Sequence, residues 1–230
     1  YNMSLDDFKI IFYWEYIHRI IARFIGLFFL LPLLYFFFFK KVKTEYKSTC
    51  YIIFSLILLQ GIVGWYMVKS GLVNVITVSH YRLSLHLSIA FIIISTLFWV
   101  IINIRRNTHK IFFDFSRLNV LFLTLILLIF FQIIFGAFVS GLDAGQIYQT
   151  WPMMGPSYFP NDTNIINLKD IFDFDNHSLV QFYHRNLAYL ITIYTIILSI
   201  LIYIKKIKIL YSPLKLIILV LSLQIILGIF

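Results

Sequence analysis

The sequence predicts an all-α fold, a polytopic transmembrane helical protein, and three observations predict it. Of its residues 61% are hydrophobic and 13% charged, more apolar surface than a water-soluble core needs. The apolar residues fall in long runs instead of at amphipathic spacing, and a run of about 18 or more can cross a hydrocarbon layer roughly 30 Å thick. Basic residues gather in alternate loops between the runs, as they do in cytoplasmic loops.

Five complete spans are expected, over about residues 20–39, 50–68, 83–104, 118–139 and 187–204, followed by a sixth from about 214 that is still apolar at Phe230. The chain opens at Tyr1 without an initiator Met, so a fragment is expected. Residues 1–9 are polar and no short apolar stretch leads to a small-residue cleavage site, which makes the first span an anchor and not a signal peptide.

The net charge of +9 is a matter of topology, not of nucleic acid. Lys40, Lys41, Lys43 and Lys47 fill the first loop, Arg105, Arg106, Lys110 and Arg117 the third, and Lys205, Lys206, Lys208 and Lys215 the fifth. The fourth loop carries Asp143, Asp162, Asp170, Asp173 and Asp175 instead. Loops one, three and five therefore face the cytoplasm or its equivalent, and Tyr1 starts on the outer side. The lone Cys50 excludes an intramolecular disulfide and a multi-cysteine metal site.

The chain repeats itself. Glu15-Tyr-Ile-His18-Arg19-Ile-Ile-Ala22 at the first span matches Gln181-Phe-Tyr-His184-Arg185-Asn-Leu-Ala188 at the fifth, and Gln60-x-x-x-Gly64 of the second matches Gln224-x-x-x-Gly228 of the sixth. A tandem duplication of a roughly four-helix unit explains both. The expected architecture is two pseudo-repeated four-helix bundles, with residues 1–110 an N-terminal half lacking its first helix and 111–230 a C-terminal half lacking its last. The fourth span adds Gln132-x-x-x-Gly136. These motifs suit close helix packing, with glycine permitting approach and glutamine bonding across the interface. The outer loop, 140–183, is long for a plain connection. Its Pro152, Pro156 and Pro160, set among Trp151, Tyr158 and Phe159, suit a structured cap.

Three histidines are expected near the outer interface: His18 and His184 at the heads of their spans, His86 one turn into its own. Each is followed four residues later by alanine (Ala22, Ala90, Ala188), a small side chain on the same helical face. Two imidazoles from facing helices complete a six-coordinate haem iron, and ionisable residues at membrane depth usually mark function. The plainer role is interfacial, a ring bonded to a carbonyl or to water. Arg19, Arg23, Arg82 and Arg185 share that level. Guanidinium forks suit haem propionates, or the side chains snorkel to lipid headgroups. Glu15, where the repeat has neutral Gln181, shares a face with His18. It is placed to stabilise positive charge on something bound there or to accept a proton, unless it merely pairs with Arg19. His80, His109 and His177 are read as solvated loop residues.

Taken in order, Glu15-Tyr-Ile-His18-Arg19, Gln60-Gly-Ile-Val-Gly64-Trp-Tyr-Met-Val-Lys-Ser-Gly71-Leu, Tyr81-Arg82-Leu-Ser-Leu-His86-Leu, Gly136-Ala-Phe-Val-Ser-Gly141-Leu-Asp143-Ala-Gly145, Trp151-Pro-Met-Met-Gly155 and Phe182-Tyr-His184-Arg185 resemble the haem A synthase family over essentially the whole chain. The absence of outer-loop cysteines is similar to its proteobacterial and mitochondrial branch. The resemblance implies an eight-span enzyme of the bacterial or mitochondrial inner membrane that oxidises a methyl group of haem O to the formyl group of haem A for terminal oxidases. It implies that His18 and His86 ligate the substrate haem, that Glu15 is the acidic residue the reaction needs, and that His184 ligates a haem B cofactor whose second ligand lies beyond Phe230. An electron acceptor, the haem O synthase that makes the substrate, and a homo-oligomer are the partners it brings into view beside membrane lipid. The competing classes are a non-catalytic bis-histidine b-type cytochrome and a membrane haem transport or assembly protein. A cytochrome of that kind wants ligand pairs towards both membrane faces, whereas all the histidines here lie towards one.

Overall fold

The structure, a computed structural model, describes residues 4–39, 43–71, 78–108 and 115–229, with residues 70 and 71 described by their backbone alone. Lys40, Lys41, His109 and Lys110 lie outside the described residues. The helices are α1 (Leu5–Phe38), α2 (Thr44–Gly71), α3 (His80–Arg106), α4 (Arg117–Gly141), α5 (His177–Ile204) and α6 (Tyr211–Ile229). Among the described residues no strand forms, and all six helices are long and apolar enough to cross a membrane. The protein is a polytopic helical membrane protein.

α1 starts well before the expected span. Ser4 caps it, its hydroxyl oxygen accepting the Asp7 N–H at 3.2 Å, and Asp6 and Asp7 sit in the first turn where the helix dipole favours anions. At 1.5 Å per residue, 34 residues make a helix roughly 50 Å long. That exceeds the ~30 Å hydrocarbon layer, so the turns carrying Asp6, Asp7, Lys9 and Glu15 extend past it. His18 therefore lies within the helix and not at its head. α5 is also longer than expected. It begins at His177, capped by the Asn176 side chain, which accepts the Leu179 N–H at 3.0 Å.

Consecutive helices pack against one another, and α4 lies against both α3 and α5. The apolar core joins Leu125 of α4, Ile191, Leu198 and Ile202 of α5, and Leu214 of α6. Beside it the Tyr194 hydroxyl donates to the Leu121 carbonyl at 2.9 Å, which keeps a half-buried polar group satisfied. α1 has no buried residue, and α6 only Leu214. Their exposed Phe, Leu and Ile side chains cost nothing where hydrocarbon is the solvent.

Gly141, the last residue of α4, meets His80, the first of α3, and the Tyr81 hydroxyl reaches Asp175 just ahead of α5 at 3.5 Å. The start of α3, the end of α4 and the start of α5 thus share one end of the bundle. Residues 142–176 fold over that end as the expected cap. Met154 and Pro160 are fully buried there, the Trp151–Pro152 bond is cis, and Met154 pairs with Ser157 around Gly155 at φ +73. This cap corrects the reading of His80 as solvated. The ring is 6% exposed, with Nε2 3.4 Å from Asp175 Oδ1, because the cap covers the start of α3. His177 stays exposed, its Nδ1 3.1 Å from the Asp175 carbonyl.

Candidate functional site

His18 of α1 and His86 of α3 face each other, with ring centroids 6.4 Å apart and planes inclined by 72°. One first-row metal bonded at about 2 Å to a nitrogen of each of two imidazoles sets their centroids roughly 6 Å apart. The two rings, though 68 residues apart in sequence (86 minus 18), stand at the separation a shared iron requires. Among the described residues no group of three or more His, Cys, Asp or Glu could hold a bare metal ion. The pair therefore suits a metal whose remaining ligands are its own, as in a porphyrin.

Each of two histidines rests against the helix before it. Gln60 Nε2 of α2 is 3.2 Å from His86 Nε2, and a β-carbon on Gly64 would come within 3.1 Å of His86 Cε1. Gln132 Nε2 of α4 is 3.3 Å from His184 Nε2, and a β-carbon on Gly136 would come within 3.3 Å of His184 Cε1. The Gln-x-x-x-Gly motifs, read from sequence as helix-packing devices, thus cradle imidazoles. The glycine lets the ring lie against the backbone while the amide, one turn away on the same face, meets a ring nitrogen. On both histidines Nδ1 is buried with no hydrogen-bond partner, and so is Oε1 of both glutamines.

The charged residues divide. Arg19 pairs with Glu15 at 3.1 Å, and its Nε also donates to the Glu15 carbonyl at 3.3 Å. Both side chains are partly open to solvent, and such a pair stabilises a helix only slightly. Arg23 lies on an exposed face of α1. The Arg82 guanidinium stands 4.9 Å from the centre of the Tyr66 ring. Arg185 is engaged by the cap, donating to the Tyr148 carbonyl and to those of Thr150 at 2.7 Å and Met153 at 3.5 Å. Gln181, one turn earlier, is buried and donates to the Gly145 and Tyr148 carbonyls at 3.3 and 3.0 Å. α5 therefore grips the cap on either side of His184.

Asp162 ties the cap together from within, accepting from the Tyr148 hydroxyl at 2.8 Å and the Ser178 hydroxyl at 2.6 Å. Burial raises the pKa of this carboxyl, but the hydrogen bonds from Ser178 and Tyr148 outweigh it and hold the group below the ordinary carboxylate value. The backbone N–H groups of Asn167 and Ile166 likewise hold Asp170 low.

The model of the COX15-CtaA family, described as cytochrome oxidase assembly protein, matches residues 1–230. The chain belongs to this family. Curated relatives include heme A synthases of Pelagibacter ubique (strain HTCC1062), 51% identical over 90% of this chain and 60% of the relative, and of Wolbachia sp. subsp. Brugia malayi (strain TRS), 42% identical over 87% and 60%. The heme A synthase of Flavobacterium psychrophilum is 41% identical over 83% of this chain and 56% of its own length. The chain thus spans about 60% of the length of these curated relatives. No solved structure matches it.

Sequence reasoning read Gln60 and Gln132 as packing residues and Gln181 only as the neutral counterpart of Glu15. The signal for the first two was present, since Gln-x-x-x-Gly recurs on three helices. What it lacked was the ring each motif faces, which only the pairing of α2 with α3 and of α4 with α5 reveals.

Proposed function

We propose that the protein is a haem A synthase, an oxidoreductase that converts a methyl group of haem O to the formyl group of haem A for terminal oxidases. The observation that carries this reading is the facing pair of His18 and His86 at 6.4 Å, the ligand set for the substrate's iron. The heme A synthase names of the curated relatives support the same reading. In the first half, residues 1–110, the pair fixes the macrocycle between α1 and α3. The acid Glu15 lies on the histidine's face of α1, paired with Arg19 at 3.1 Å.

Each oxidation removes an electron pair from the methyl carbon, and an oxygen from water enters, first giving an alcohol and then a hydrated aldehyde that loses water. The electrons pass to an acceptor outside these residues. Glu15 offsets the positive charge that develops as electrons leave and takes up a proton as water adds. Arg19, Arg23 and Arg82 lie near enough in sequence to the ligands to meet propionates, whereas Arg185 is committed to the cap. In the second half, residues 111–230, His184 holds a haem B cofactor. Its ring lies against Gly136 with Nε2 facing the Gln132 amide, and a half-buried imidazole of this kind would fit a haem ligand. When bound, that haem supplies a one-electron carrier. The positive charge of the first, third and fifth loops favours the histidine end on the outer side of a bacterial or mitochondrial inner membrane. Haem O synthase would deliver the substrate, and a homo-oligomer remains compatible with the exposed faces.

The test is to express the protein with a source of haem O, extract pigments from the membranes and separate them by chromatography. Haem A is expected from the wild type, and the Glu15→Gln variant is expected to retain haem but make no haem A. An electron carrier or haem chaperone would tolerate that substitution, and a wild type yielding no haem A would sink the enzyme reading.

A further inference from the structure

The same hairpin occurs twice. α2 with α3, and α4 with α5, each set a glutamine amide against Nε2 of a histidine on the following helix, with a glycine one turn on beneath the ring. This unit is shorter than the four-helix repeat read from sequence.

In the second hairpin the polarity of the contact is decided by a further acceptor. Gln132 Nε2 also lies 3.2 Å from the His184 carbonyl oxygen, which can only accept. That end of the amide is therefore NH2, and it donates both to the carbonyl and to the ring. His184 Nε2 must then present its lone pair, with the ring proton on Nδ1, the buried nitrogen that has no partner. The first hairpin has the same amide nitrogen at the same ring nitrogen, 3.2 Å away. In both, the glutamine's Oε1 has no partner. The amide is tethered only by its donor end, so it can swing off at little cost.

We propose that Gln60 and Gln132 are positioning residues for the haem-ligand histidines. Each holds its imidazole turned and in the tautomer whose Nε2 lone pair is ready for iron, and each yields that nitrogen when iron arrives. The amide N–H on that lone pair spares the ring a rotation and a proton loss at the moment of ligation but must itself give way, so it lowers the energy of the empty site and not of the iron-bound one. The inference rests on the reading of His86 and His184 as iron ligands.

The experiment titrates the protein, purified in detergent, with haemin, following the low-spin absorption band. Gln60→Met keeps length and volume but has no N–H, while Gln60→Glu keeps the shape and turns a donor into an acceptor that favours a proton on Nε2. We expect Gln60→Met, which removes a contact that iron must displace, to tighten haemin binding about fivefold, the worth of one ordinary hydrogen bond. Gln60→Glu, which holds a proton on Nε2 that iron must expel, is expected to weaken it, and helicity and thermal stability of both variants stay near wild type. Gln132→Met and Gln132→Glu repeat the measurement in the second hairpin, should a Gln60 variant not fold. If the Met and Glu variants bind with wild-type affinity while His86→Ala loses the low-spin band, the glutamines only pack and the proposal fails. If His86→Ala keeps the low-spin band, the ligand reading fails instead, and the proposal with it.

Discussion

A β-carbon built on Gly141 would lie 2.7 Å from His80 Cβ and 2.9 Å from its Cα, so the end of α4 and the start of α3 touch backbone to backbone. No rotamer can relieve that contact, since neither atom is the far end of a flexible side chain. Gly141→Ala should push the two helices apart at the capped end, at about 1–3 kcal/mol for overpacking. A thermal melt in detergent should register the loss, and a melting temperature equal to wild type would contradict the close approach.

The glycines beneath the two imidazoles make a milder prediction. An alanine at Gly64 or Gly136 brings its β-carbon to 3.1 or 3.3 Å from a ring carbon, so the ring must tilt by a few tenths of an ångström. Gly64→Ala should alter the low-spin spectrum and haem content more than it alters stability, and the bulkier Gly64→Val should abolish the signal. The glycine-to-alanine change at Gly26, with open space around it, serves as the control.

Arg185 holds carbonyls of Tyr148, Thr150 and Met153 in the fork of one guanidinium. Lysine has a single ammonium and cannot span them. Arg185→Lys should loosen the cap by about 1.5–3 kcal/mol, the usual worth of hydrogen bonds to a charged group. Limited proteolysis should then cut within residues 148–160 faster than in wild type. Unchanged cleavage would show that Gln181 suffices to hold the cap.

Asp162 gives the cap a pH dependence of definite sign. Its pKa in the folded protein is depressed, so its contribution is complete above the ordinary carboxylate value, about 3.9, and is lost as pH falls through the lower folded value. Trp151 in the same cap reports on it. Its fluorescence should be steady from neutral pH down to about 4 and change below that, and Asp162→Asn should remove the transition. A transition that persists in Asp162→Asn would have to come from another carboxylate, of which Asp170 is the nearest candidate held low.

Span number was legible in the sequence, because lipid imposes a length of apolar residues that local composition records. Helix starts were less legible. α1 and α5 continue past the apolar layer on polar residues, and hydropathy falls silent where water takes over as solvent. Glu15 and Arg19, one turn apart, could be paired from sequence, as the structure pairs them. The commitment of Arg185 to the cap could not, since its carbonyl partners lie in a loop more than thirty residues away in sequence.

By itself, the sequence determined that this chain lives in a membrane, which loops carry its positive charge, and which residue types capable of gripping iron it possesses. Only the tertiary structure decided that His18 meets His86, that Gln60 and Gln132 each address a ring nitrogen, and that His80 is buried beneath a cap. Burial in lipid depends on each helix's own composition, whereas a contact between helices depends on how two surfaces rotate against each other, which no single segment encodes.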